Sequence, residues 1–384
     1  MAKKKIMLVF GTRPEAIKMA PLVLEIKKYN DKLIPLVVST GQHREMLDQV
    51  LNIFNIRPDY DLEIMSKSQT LSQIVVKTLQ GLESILLREK PDMMLVQGDT
   101  STAFTAGLCA FYNKIPVGHV EAGLRTFDKL RPFPEEVNRR LLSVVADMHF
   151  SPTSSSVENL IGEKIPKPSI YCTGNTVIDA LLLVAKRKFD IKKSGLKLDA
   201  NKKIILVTAH RRESFGQPLV EICEGIKKLA KTYFNDIQIV LPAHKNPMVT
   251  GVVEKILGGL DNVLVVAPMD YEPFVHLMKA SYFILTDSGG VQEEAPSLGK
   301  PVLVLREKTE RPEAIIAGTV KLIGVNGKKI FSEAEKLLID RILYKKMQHA
   351  VNPYGDGKAS ARIVSAILFK FGFTAKKIKE YYSK

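Results

Sequence analysis

The sequence predicts an α/β protein made of two doubly wound, parallel-sheet domains in tandem. Three observations carry that expectation. The chain has 384 residues, which exceeds one ordinary core and suits two domains of roughly 150–200 residues each. Short β-like runs alternate with helix-periodic stretches from end to end, and such alternation means parallel strands covered by helices on both faces. Most strand ends run into polar, glycine-containing turns, the places where doubly wound folds bind ligands.

The first element is the apolar run Ile6–Phe10 behind a lysine-rich start. It is too short for a secretory signal and reads as a β-strand. Ile34–Ser39, Met93–Gln97, Val117–Val120 and Ile170–Thr173 continue the series. Between them, Leu71, Ile74, Val75, Thr78, Leu79, Leu82, Ile85 and Leu86 keep helix spacing. A second series follows Asp199: Ile204–Val207, Ile237–Leu241, Val263–Val266, Tyr282–Thr286 and Val302–Leu305. The basic, weakly periodic segment Lys186–Lys203 reads as a connection. A boundary near Gly174 gives domains over 1–173 and 174–362, with the cleft between them as the natural ligand site. Two closing helices are expected over Ser360–Phe371 and Ala375–Tyr382.

Composition narrows the function classes. Hydrophobic residues make up 45% and charged residues 25%, as in a soluble globular protein without extended disorder. No apolar run approaches the ~20 residues that span a bilayer, so a cytoplasmic protein without membrane partners is expected. The three cysteines, Cys109, Cys172 and Cys223, have no CxxC spacing and read as reduced core residues. The net charge of +15 lies largely in scattered lysines. With no zinc-finger spacing and no aromatic RNA-binding signature, it points to a basic surface plus a pocket for an anionic ligand, not to nucleic acid.

The strand-end turns carry the chemistry. Gly11-Thr12-Arg13-Pro14-Glu15-Ala16-Ile17-Lys18 opens a helix with Arg13 and Lys18 flanking a turn that favours an anion. Asp99 follows Met93–Gln97 and a glycine, placed to meet a ligand or to cap a helix. Glu121 follows Val117–Val120, and Glu135 and Glu136 start the next helix. Carboxylates gathered at one sheet edge raise one another's pKa, which is how proton-transfer groups are tuned. In the second half, His210-Arg211-Arg212 at a strand end suits pyrophosphate. Ser288-Gly289-Gly290 lets the backbone approach a phosphate, and Glu294 lies one turn on, placed to grip ribose hydroxyls. His149, His276 and His349 read as packing or surface residues, and His244 lies at a further strand end. There is no GxGxxG after the first strand, no P-loop, no HExxH and no Cys/His cluster with metal-ligand spacing. Neither a nicotinamide cofactor nor a metal is expected.

These motifs resemble one family, the non-hydrolysing UDP-N-acetylglucosamine 2-epimerases. The matching segments are GTRPEAIKMAPL (11–22), TGQHREMLDQVL (40–51), GDT (98–100), VGHVEAGLRT (117–126), PEEVNRR (134–140), TGNTVIDAL (173–181), HRRESFG (210–216), LTDSGGVQEEAPSLGKPVL (285–303), TERPEA (309–314) and NPYGDG (352–357). The resemblance implies two Rossmann-like domains facing a central cleft, the glycosyltransferase B-type fold, with the C-terminal helix (363–384) packing back on the first domain. It implies a homodimer that takes UDP-N-acetylglucosamine and UDP, uses no cofactor and supplies precursors of cell-surface polysaccharides. Asp99, Glu121, Glu135 and His210 match the catalytic set. Arg13, Lys18 and Arg139 match substrate-binding positions. Phe274, Ser288, Gly289, Gly290, Glu294 and Arg311 match the UDP-binding set, with Phe274 near the uracil. Gln42, His43, Gln69 and His244 fall where many members hold a regulatory second UDP-N-acetylglucosamine. The rival expectations are a hydrolysing 2-epimerase that releases N-acetylmannosamine and UDP, a nucleotide-sugar glycosyltransferase on the same architecture, and a non-catalytic nucleotide-sugar sensor.

Overall fold

Buried apolar runs become the strands of two parallel sheets, seen in a computed structural model that describes residues 1–41, 44–66, 69–209, 211, 215–243 and 246–382. The first sheet is built from β1 (Lys4–Phe10), β2 (Leu33–Ser39), β3 (Tyr60–Asp61), β4 (Met93–Gln97), β5 (Val117–Val120), β6 (Met148–Ser151) and β7 (Ile170–Cys172). Its connections are α1 (Arg13–Lys27), α2 (Arg44–Ile53), α3 (Leu71–Glu89), α4 (Ser101–Tyr112), α5 (Glu135–Val145) and α6 (Ser154–Gly162). The strand order is β3-β2-β1-β4-β5-β6-β7, with parallel pairing throughout. Every residue of β4 is buried, because helices cover both faces of the sheet. Met7, Val9, Met94 and Val96 pack on Leu82, Ile85 and Leu86 of α3, Ala106 of α4 and Leu142 of α5. Helix starts are specified locally: Thr12 and Glu15 form a reciprocal capping box on α1, and Thr70 and Gln73 do the same on α3.

After α7 (Thr176–Ala185) the second sheet repeats the plan. It comprises β8 (Lys203–Thr208), β9 (Ile237–Pro242), β10 (Val263–Val266), β11 (Phe283–Thr286), β12 (Val302–Val304) and β13 (Val320–Leu322). The helices are α8 (Gln217–Thr232), α9 (Pro247–Leu257), α10 (Tyr271–Ala280), α11 (Gly289–Glu294), α12 (Pro312–Ile316), α13 (Gly327–Ile339) and α14 (Arg341–Gln348). The order is β10-β9-β8-β11-β12-β13, again parallel. Ile205, Val207, Ile239 and Leu285 pack on Leu219 and Ile226 of α8, Val249 of α9 and Leu337 of α13.

The chain divides into two compact units, Met1–Ala180 with the chain from Tyr354 onward, and Leu181–Pro353. The first division falls inside α7 and the return begins at Tyr354. The reason is local. Asn175 N–H donates to the Tyr354 carbonyl at 2.6 Å. The buried Asp179 accepts the amides of Ala359 (3.1 Å) and Ser360 (2.8 Å) at the start of α15 (Ala359–Lys370). Both segments are thereby tied into the first unit.

One expected element is absent: residues 375–382 are not helical. They run beside the edge strand β7, where Tyr381 N–H donates to the Cys172 carbonyl (2.8 Å) and Glu380 accepts from Cys172 N–H (2.9 Å). Bonding to an open sheet edge wins over the expected helix. The three cysteines are buried and free, as read. No helix among the described residues is long and apolar enough to cross a membrane.

Candidate active site

In a doubly wound sheet the ligand site lies where the strand order reverses. In the first unit that place is between β1 and β4, and β5 is the next strand. Parallel register sets Val96 beside His119 and Gln97 beside Val120, so Asp99 and Glu121 leave adjacent strand ends together. Gly98 turns the chain with φ 72°, and a Cβ there would lie 3.7 Å from Glu121 Oε2.

Glu121 is buried, and its backbone adopts φ 65°, a left-handed state rare for a side-chain-bearing residue. Lys18 Nζ reaches both carboxylate oxygens, at 2.6 and 2.7 Å. Asn175 Nδ2 donates to Oε1 at 2.8 Å, and Gln97 Nε2 donates to Oε2. Two amides and an ammonium therefore fix one buried carboxylate.

Asp99 has a different environment. The Arg139 guanidinium pairs with its Oδ2, and Asn138 Nδ2 holds its carbonyl at 2.9 Å. Burial pushes the Asp99 carboxyl above the usual range, Arg139 pulls it back, and the Glu121 charge pushes it up again. Such a group exchanges its proton more readily near neutrality than a free aspartate does.

Glu15 was read only as part of a helix-start motif, and the structure gives it a larger part. Its Oε2 accepts the amides of Gly11 (3.0 Å) and Thr12 (2.7 Å), and its Oε1 accepts the Thr100 hydroxyl (2.5 Å). It thus clamps the turns after β1 and β4. Burial raises its pKa against those hydrogen bonds. The T-x-x-E spacing of Thr12 and Glu15 was the available signal. Gln97 and Asn175 carried no such signal, since each sits inside an apolar or small-residue run.

Glu135 and Glu136, adjacent at the start of α5, do different things. Glu136 is fully buried and accepts the amides of Thr126 (3.0 Å) and Phe127 (3.1 Å), which shapes a loop, and its Oε2 also lies 3.4 Å from Nη1 of Arg139. Glu135 Oε2 and Arg139 Nε are buried without a hydrogen-bond partner among the described residues, the pattern expected of polar atoms that await a ligand. His119 Nε2–H donates to the Gly98 carbonyl at 2.8 Å, and burial lowers its pKa to about 3, so it is a neutral packing group. His149 is likewise buried and bonded to the Ser143 carbonyl at 2.9 Å.

In the second unit the order reverses between β8 and β11. Ser288 stands at the N-cap position of α11, and its amide donates to Thr286 Oγ1 at 2.9 Å. The buried Asp287 accepts the Arg211 amide at 2.9 Å. A Cβ on Gly289 would meet Arg211 Nη2 at 3.6 Å, and one on Gly290 would meet Glu294 Oε2 at 3.6 Å. Glu294 accepts the hydroxyl of Tyr271 on α10 at 3.1 Å, a partner that sequence reasoning missed. Phe274 lies one helical turn along α10. Arg311 pairs with Glu293. Arg211 and Arg306 both approach Glu310, at 3.8 and 3.7 Å. Arginines therefore gather beside the serine–glycine turn.

Arg13 is the first residue of α1. Gln69 accepts from the Ser66 amide and hydroxyl, both at 2.9 Å. His210, Gln42, His43 and His244 lie outside the described residues.

The family model described as UDP-N-acetylglucosamine 2-epimerase matches residues 25–368. The chain belongs to this family. A Salmonella typhimurium UDP-N-acetylglucosamine 2-epimerase is 54% identical over 370 residues, covering 94% of this chain and 98% of its own. The crystal structure of a Neisseria meningitidis UDP-GlcNAc 2-epimerase bound to UDP-GlcNAc is 50% identical, with a TM-score of 0.85 over 95% of this chain and 99% of that one. The S. aureus MnaA structure with UDP is 48% identical, with a TM-score of 0.87 over 98% and 100%. A glycosyltransferase of kitacinnamycin, 13% identical with a TM-score of 0.65 over 95% and 99%, shares the fold alone. The glycosyltransferase-like α/β class expected from the motifs is thus the class of the epimerase family.

Proposed function

We propose that this protein inverts C2 of UDP-N-acetylglucosamine, giving UDP-N-acetylmannosamine by elimination and re-addition of UDP without hydrolysis. The observation that carries the reading is the pair of held carboxylates, Glu121 with Lys18 and Asp99 with Arg139, at adjacent strand ends of an epimerase-family sheet.

The chemistry requires these groups. The C2 hydrogen of the sugar is not next to a carbonyl and is scarcely acidic. Breaking the C1–O bond to UDP builds positive charge at C1, which acidifies C2–H. A carboxylate takes that proton, leaving 2-acetamidoglucal and UDP. A proton delivered to the opposite face, with the diphosphate oxygen returning to C1, completes the inversion. One group must act as base, another as acid, and fixed cations must stabilise the leaving diphosphate. Asp99 and Glu121 serve proton transfer, with Glu135 as their partner. Lys18 and Arg139 hold the two carboxylates ready. His210, Arg13 and the Ser288–Gly290 turn bind the diphosphate, Phe274 meets the uracil, Glu294 takes the ribose and Arg311 completes the nucleotide contacts. Tyr271, which holds Glu294, supports that grip.

The test is Asp99→Asn. Turnover falls by about 10²–10⁴-fold, the value of one acid–base group, while UDP affinity measured by calorimetry stays near that of the unaltered protein. Equal loss of both contradicts the role. The family resemblance also motivates a second UDP-N-acetylglucosamine site at Gln42, His43, Gln69 and His244, a homodimer, a cytoplasmic setting and a supply of precursors for cell-surface polysaccharides, all retained as part of this proposal.

A further inference from the structure

Glu121 combines a strained backbone with a crowded carboxylate. A left-handed φ at a residue with a side chain persists only where the surroundings enforce it. Lys18 supplies the charge from α1, and Gln97 approaches from β4. The third donor, Asn175, comes from the segment between β7 and α7 and is itself pinned. Its Oδ1 accepts Val177 N–H at 3.1 Å, and its own N–H donates to the carbonyl of the fully buried Tyr354 at 2.6 Å. Gly174 leaves room for this approach, since a Cβ there would stand 3.2 Å from Gly355 Cα. One end of the Asn175 amide thus completes the turn into α7, and the other faces Glu121 Oε1.

We propose that Asn175 is a positioning residue of the reaction, its amide setting the direction in which the Glu121 carboxylate is presented. This rests on the reading of Glu121 as a proton-transfer group. Hydrogen bonds donated to a carboxylate favour its charged form and fix its orientation. Among the described residues, the other charged or titratable groups that bear on Glu121 are Lys18 on α1, Asp99 after β4 and His119 on β5, the last kept neutral by burial. Lys18 bonds both carboxylate oxygens and supplies charge, whereas Asn175 donates to Oε1 alone.

The experiment uses three variants of the full-length protein. Asn175→Asp keeps the acceptor for Val177 N–H and the backbone bond to Tyr354, and replaces the donor with a second carboxylate. Asn175→Ser keeps a shorter acceptor without added charge. Glu121→Gln is the control for the underlying reading. For Asn175→Asp, the expected loss at pH 7 is roughly 10²-fold in kcat with KM and UDP affinity little changed, and the acidic limb of kcat/KM moves up by about one to two pH units. Asn175→Ser loses roughly tenfold with a smaller shift of the limb, and it decides the matter where Asn175→Asp fails to fold. Variants with lowered thermal stability, an unmoved limb and kcat within twofold would show a purely structural tie and overturn the proposal. If Glu121→Gln retains full turnover, the catalytic reading of Glu121 falls and the proposal with it. If Glu121→Gln is inactive while the limb stays fixed in both Asn175 variants, only the positioning role falls.

Discussion

Arg139 sets the working range of Asp99. Burial pushes the Asp99 carboxyl up, and Arg139 is the largest opposing pull. Arg139→Met removes that pull, so Asp99 is held higher still and ionises only at higher pH. The acidic limb of kcat/KM is expected to move upward relative to the unaltered protein, with the loss of activity greatest at low pH. An unmoved limb would separate Asp99 from the pH dependence. At this scale the sequence was half legible. Asp99, Glu121 and Glu135 stand out as carboxylates gathered after buried strands and at a helix start, although capping and the helix dipole also favour acidic residues at such starts. Glu15, Gln97, Asn175 and Tyr271 do not stand out, because each acts across the chain. Glu15 reaches Thr100, Asn175 reaches Glu121 and Tyr271 reaches Glu294. Only tertiary structure creates those pairs. Glu136 shows the converse: its position suggested chemistry, and its two oxygens are spent on the amides of Thr126 and Phe127.

Elements report their own ties. Asp179 lies on α7, holds the first amides of α15, and burial raises its pKa to about 6 from 3.8. The folded protein therefore binds this proton more tightly than the unfolded chain. The contribution of Asp179 to stability is complete below about pH 4 and declines as pH rises through about 6. Asp179→Asn cannot ionise, so its stability relative to the parent is expected to improve by roughly 1–3 kcal/mol between pH 4 and pH 7. Urea unfolding at both pH values measures the difference, and a pH-independent difference would contradict the assignment. The segment after α15 gives a second prediction. Ending the chain at Thr374 removes the bonds to Cys172 and bares the edge of β7, with an expected cost of roughly 1–3 kcal/mol. Calorimetry of the truncated protein tests this, and an unchanged Tm would show the segment to be dispensable. Fully buried strands such as Met93–Gln97 were readable as apolar runs, whereas β6, Met-His-Phe-Ser, hid behind its polar residues. The closing segment misled because nothing in the sequence discloses a waiting sheet edge.

For the whole molecule, two parallel sheets with one switch point each account for the order of the motifs along the chain. The first unit carries the held carboxylates, and the second carries the serine–glycine turn with its arginines. Helices α3, α4 and α5 pack side by side and leave Leu87, Phe111, Tyr112, Leu141 and Val144 exposed. Apolar surface of this kind supports the proposed homodimer. Sedimentation equilibrium is expected to give twice the chain mass, and Val144→Asp to shift it toward the monomer. A monomer at micromolar concentration in the unaltered protein would remove the dimer from the account. The central claim concerns the fate of the bond to C2–H. The most direct measurement is proton NMR of the protein with UDP-N-acetylglucosamine in D₂O, with EDTA and without added NAD. UDP-N-acetylmannosamine carrying deuterium at C2 is the predicted product; free N-acetylmannosamine with UDP, or substrate left unchanged and undeuterated, would contradict non-hydrolysing elimination and re-addition.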